Sequence, residues 1–136
     1  MLTVHRFFAL VFIYSSVMRY GEALHCNSVP ESTPINRDQC IKAFINLKQV
    51  DDRISHGIKV YSKTPGCQLV LETFNYGKVY PERRVARTAL NTVLEGCPGH
   101  AGSILIDNGS RYPNGNNSLC LTVLYTNVTT DQIQEF

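Results

Sequence analysis

The sequence predicts a disulfide-stabilised α+β domain, a two-layer sandwich with two helices packed on one face of a mainly antiparallel four-stranded sheet. Three observations lead there. Two segments carry apolar residues at helical spacing on a single stripe, four segments have strand-like composition, and all five cysteines follow an N-terminal stretch that reads as a secretory signal. The element order is helix, strand, strand, helix, strand, strand. Helices laid on one side of one sheet would bury every apolar stripe in that order.

Residues 1–23 place His5 and Arg6 before the apolar run from Phe7 to Val17, and the small-residue site Gly21-Glu22-Ala23 closes the segment. The expected mature chain therefore starts at Leu24 and works outside the cell as a single secreted domain over residues 24–136. The apolar run is shorter than the roughly 20 residues of a spanning helix, so stable membrane insertion is not expected. Losing Arg6, Arg19 and Glu22 from thirteen basic and eleven acidic side chains leaves a formal net charge of about +1. Near-neutrality argues against nucleic acid as a partner.

Residues 24–34 are polar, hold two prolines, and read as an extended lead-in able to add an edge strand. Asn36 is a helix N-cap, with Gln39 three positions on. Cys40, Ala43, Phe44 and Leu47 then recur at helical spacing until the pattern fades near Asp51-Asp52. Residues 57–62 alternate, with Ile58 and Val60 on one face, and the Pro65-Gly66 turn joins them to the buried strand at 67–74.

Tyr80-Pro81-Glu82 opens the second helix, with proline at a first helical position and an acid in the first turn. Its stripe is Val85, Ala86, Ala89, Leu90, Val93 and Leu94, and Gly96 ends it. Residues 103–107 form a short strand. Residues 118–126 form a longer one, with Leu119, Leu121, Val123 and Tyr125 on one face; the polar tail after Asn127 is expected to fray.

Cys40 and Cys67 lie on stripes that both face the helix–sheet interface, which predicts a bond between them. Cys26 with Cys97 is the expected second pair. Cys120 is left unpaired, either free and buried or joining two chains, and the oligomeric state stays open with it. No cysteine spacing is Cys-x-x-Cys and no histidine pair accompanies one, so neither a metal nor a cofactor is expected.

Several residues are candidates for function. Asn108, Asn116 and Asn127 each head an Asn-x-Ser/Thr triplet in a predicted loop or strand end, and so are candidate glycosylation sites. Arg83, Arg84 and Arg87 cluster at the start of the second helix, close enough to hold a phosphate or carboxylate. The long loop at 108–117 presents Arg111 and Tyr112, a planar donor fork beside an aromatic face, as a second candidate binding site. A small secreted hydrolase, most plausibly a ribonuclease, is the alternative: His56, His100, Glu72 and Arg111 supply the residue types that acid–base work on a phosphate requires.

The early Cys26, Asp38-Gln39-Cys40-Ile41-Lys42-Ala43 opening the first helix, Gly66-Cys67 leading a strand, and the second helix closed by Cys97 give a recognisable frame. The frame covers most of residues 26–126. With these features the chain resembles small cysteine-rich proteins secreted by fungi, the killer-toxin-like and necrosis-inducing-factor-like group with its glycan-binding relatives. The resemblance implies a disulfide-bonded α/β sandwich that acts without catalysis on the surface of another organism. The expected partner is a cell-wall glycan or a surface protein.

Overall fold

The computed structural model describes residues 24–74, 76–109 and 118–136. The expected signal segment, Arg111, Tyr112 and Asn116 lie outside the described residues. In chain order the elements are β1 (Leu24–Cys26), α1 (Arg37–Ile45), β2 (Gln49–Val50), β3 (Arg53–Ile54), β4 (Lys59–Thr64) and β5 (Cys67–Thr73). They are followed by α2 (Arg83–Gly96), β6 (Gly102–Asp107), β7 (Ser118–Leu124) and β8 (Gln132–Glu135).

The expected four-stranded sandwich is overturned, because the protein is mostly sheet. Six strands run in the order β1-β6-β7-β5-β4-β8 with every neighbour antiparallel, and β2 and β3 form a separate two-stranded ribbon. The extra strands extend both edges. At one edge Leu24 pairs with Ile104 and Cys26 with Gly102, and a disulfide from Cys26 to Cys97 ties this lead-in to the end of α2.

At the other edge the tail does not fray. All four residues of β8 are exposed, so no apolar alternation announces the strand. It is held by its ladder on β4, by Phe136 packed edge-on against Tyr61 at 5.8 Å, and by Asp131. The Asp131 carboxylate takes Lys42 at 3.3 Å and the Asn46 amide at 3.1 Å.

Strand register explains the core. Val60, Leu71, Leu121, Ile104 and Leu24 stand opposite one another across five strands, so one row of aliphatic side chains crosses the sheet. Cys40, Ala43 and Phe44 of α1 and Ala86, Ala89, Leu90 and Val93 of α2 join the same buried cluster. Two polar residues on this face are satisfied by α1 itself. The Ser62 hydroxyl donates to Ala43 O at 2.6 Å, and Thr64 Oγ1 donates to Gln39 O at 2.7 Å, so the helix lies close to the strand without stranding a polar group.

Local chemistry sets the boundaries. Asn36 caps α1 by accepting the Gln39 N–H at 3.2 Å, and the helix ends at Ile45 instead of continuing to the aspartates. Gly66, at φ 94°, follows Pro65 in a two-residue turn between β4 and β5, where a side chain would be strained. A β-carbon on Gly102 would meet Cys97 Sγ at 2.7 Å, so only glycine lets the strand pass beneath that disulfide.

The second disulfide joins Cys40 to Cys67. In the chain-entropy model the two bonds, spanning 27 and 71 residues, contribute roughly 3.5 and 4.4 kcal/mol. Among the described residues no helix is long and apolar enough to cross a membrane.

Candidate binding site

A cleft of about 830 Å³ opens between the β2–β3 ribbon and the first turns of α2. One wall is the two-residue turn Asp51-Asp52 and the adjoining Arg53; the other carries Arg83, Arg84 and Arg87. Ribbon and helix start are locked together by backbone. Ile54 N–H donates to Pro81 O at 3.0 Å, and Arg83 N–H donates to Asp52 O at 2.8 Å. The helix therefore begins at Arg83, with Pro81 buried ahead of it and Glu82 at the N-cap, two positions later than the sequence suggests.

Arg53 is fully committed to this architecture. Its Nη1 donates to Tyr80 O at 3.1 Å, its guanidinium lies 4.9 Å from the Tyr80 ring centroid, and its Nη2 is 3.8 Å from the Glu82 carboxylate. Glu82 is thereby drawn to Arg53 and makes no side-chain cap, and no acid stands in the first turn of α2. Arg83 and Arg84 are exposed, and among the described residues neither pairs with a carboxylate. Arg87 is half-buried, and its guanidinium carbon lies 5.7 Å from the Phe44 ring centroid, a cation–π contact made while the residue lines the cleft.

The Asn108 expectation is corrected. Its side chain is 1% exposed; Nδ2, the atom a glycan would take, donates to Lys78 O at 2.7 Å, and Oδ1 accepts Tyr80 N–H at 2.8 Å. A glycan cannot share that position with the fold. Asn127 is exposed, between β7 and β8. Gly109 packs directly against Arg53 Nη1, so residues 108–109 abut the cleft wall.

Of the residues cast for a ribonuclease, the three that are described, His56, His100 and Glu72, stand apart. His56 is 2% exposed; its Nε2 accepts the Lys48 N–H at 2.9 Å and its Nδ1 lies 3.5 Å from the Glu135 carboxylate. Burial lowers its pKa below the ordinary histidine value, and Glu135 only partly offsets that. His100 Nδ1 contacts Asn27 O at 2.7 Å, near the β1 edge, whereas His56 neighbours β8 at the opposite edge. Glu72 pairs with Lys59 at 3.5 Å on the sheet face away from the helices.

Cys120 lies on that same outer face, half-buried and free, with Sγ 3.6 Å from Thr122 Oγ1. No protein-family model, curated protein or solved structure matches this chain.

The sequence places Arg83, Arg84 and Arg87 correctly as neighbours but gives no hint that Asp51, Asp52 and Tyr80 border them. Val50-Asp51-Asp52-Arg53 is a usable signal for a two-residue hairpin, although aspartates near a helix end read more simply as a helix fading out. Chemically, the cleft lining combines the exposed guanidinium groups of Arg83 and Arg84 with the carboxylates of Asp51 and Asp52. It can grip an anionic group on one side and accept hydrogen bonds on the other.

Proposed function

We propose that this protein is a secreted, non-enzymatic binding protein of the killer-toxin-like or necrosis-inducing-factor-like effector type. It engages an extracellular target on another organism, a cell-wall glycan or a surface protein, through the cleft between the β2–β3 ribbon and α2. One observation carries the reading: Arg83 and Arg84 stand in the first turn of α2, which holds no acid, and Arg87 lines the same cleft one turn on.

Cations there oppose the helix macrodipole, at about 0.3–1 kcal/mol each for exposed positions. An arrangement that works against the free fold is relieved when an anion binds. The two disulfides fit an oxidising extracellular setting, and of the two sequon asparagines among the described residues the exposed Asn127, in Asn127-Val128-Thr129, is the one suited to carry a glycan.

The test compares wild type with the Arg83→Ala/Arg84→Ala double variant for binding to isolated cell walls and to intact target cells. Binding is expected to fall at least tenfold while the thermal midpoint stays level or rises. Unchanged binding by a folded double variant overturns the reading.

A further inference from the structure

Building on the binding role just proposed for this cleft, we infer that its ligand is a uronic-acid-containing saccharide, held by its carboxylate on the arginines and by its hydroxyls on the aspartates. The exposed guanidiniums of Arg83 and Arg84 match a carboxylate in fork geometry, each able to give two parallel N–H···O bonds. The facing wall selects among anions. Asp51 and Asp52 are acceptor-only groups, so a ligand that fills the cleft must bring O–H donors to them as well as negative charge to the arginines.

A polyphosphate or a densely sulfated chain carries charge along its whole length and would set it against those carboxylates and Glu82. A uronate carries one carboxylate on a ring otherwise edged with hydroxyls. Size points the same way: about 830 Å³ falls within the roughly 300–1,000 Å³ of small-ligand sites. A protein partner would instead use a broad face of about 800 Å².

The experiment measures affinity of the purified disulfide-bonded protein for tetrasaccharides of galacturonate and of mannuronate, for their methyl esters, for inorganic phosphate and for tetraglutamate. At least one uronate is expected to bind, with esterification and Arg84→Gln each weakening it tenfold or more. Asp52→Asn keeps the backbone carbonyl that accepts the Arg83 N–H. It is expected to weaken the uronate at least threefold and to leave phosphate binding equal or tighter.

Esters that bind as well as the acids, with Arg84→Gln still abolishing binding, would keep the cleft as the site and overturn the acidic ligand. Phosphate or tetraglutamate binding more tightly than either uronate also overturns it, in favour of a simple anion or an acidic protein segment. If neither uronate binds, the inference fails. If Arg84→Gln also leaves cell-wall and target-cell binding intact, the proposed site fails with it.

Discussion

Asn108 holds Tyr80 from the side, accepting its backbone N–H at 2.8 Å while giving its own amide to Lys78 O at 2.7 Å. One side chain thus supplies an acceptor and a donor to the Lys78–Tyr80 segment, whose Tyr80 lines the cleft. Asn108→Ala removes the partner of two part-buried backbone groups, at up to about 1–3 kcal/mol each before relaxation and water access. A fall in the thermal midpoint of several degrees is expected, together with weaker ligand binding through the displaced Tyr80. Glycopeptide mass spectrometry should find Asn108 bare even where Asn127 is occupied; a glycan on Asn108 of the folded protein would contradict the geometry.

The terminal strand makes a second prediction. Lys59 and Phe136 exchange backbone hydrogen bonds at 2.8 and 3.3 Å, and β8 covers the edge of β4. A chain ending at Thr130 loses that ladder, the Phe136 contact with Tyr61 and the Asp131 contacts with α1. Hydrogen exchange at the Lys59 amide should accelerate and the midpoint should fall, with a greater tendency to self-associate through the uncovered edge. Unchanged exchange at Lys59 would mean that β8 contributes nothing to stability.

Strands of this kind explain what the sequence conceals. The paired stripes of Cys40, Ala43 and Phe44 and of Cys67, Leu69 and Leu71 are legible because burial writes itself as periodicity, and the Cys40–Cys67 bond follows from the same faces. Gln132-Ile133-Gln134-Glu135 has no buried residue, and β1, which takes the edge position that the sequence allows residues 24–34 to fill, has three residues, too few for a period to mark its bounds. Both are fixed by backbone pairing and by remote partners such as Cys97 and Tyr61, which leave no local pattern. The cleft divides in the same way: the arginines adjoin in sequence, whereas the aspartates are brought to them by long-range contacts such as the Arg83–Asp52 and Ile54–Pro81 backbone bonds.

His56 predicts a dependence on pH. Burial holds its folded pKa below the ordinary value of 6.5, so below that pH the unfolded chain binds more protons than the folded one. The stability it confers is fully present above about pH 6.5 and is lost as the pH falls toward and through the lowered folded value. Glu135 opposes the shift, while Lys48 and Lys78 reinforce it. His56→Gln can still accept the Lys48 N–H, and it should flatten the slope of stability against pH below about 6.5. A slope identical to wild type would show that His56 is not the group responsible. Any RNA-cleaving activity lost specifically in this variant would favour the hydrolase alternative.

Asp51 sits at φ 51°, the first position of a two-residue hairpin turn, where glycine is the favoured residue. Aspartate tolerates this region better than most residues, yet a side chain here remains a cost that the fold does not require. Asp51→Gly is therefore expected to raise stability by a few tenths to about 1 kcal/mol, less whatever the unfolded chain gains in freedom. Asp51→Asn keeps the backbone preference and removes only the charge, so it should leave the midpoint close to wild type. If the carboxylate is there for a ligand, both variants lose affinity to a similar degree although only the glycine variant gains stability. Should both bind as well as wild type, Asp51 is no part of the recognition surface, and the hydroxyl-accepting wall of the cleft reduces to Asp52.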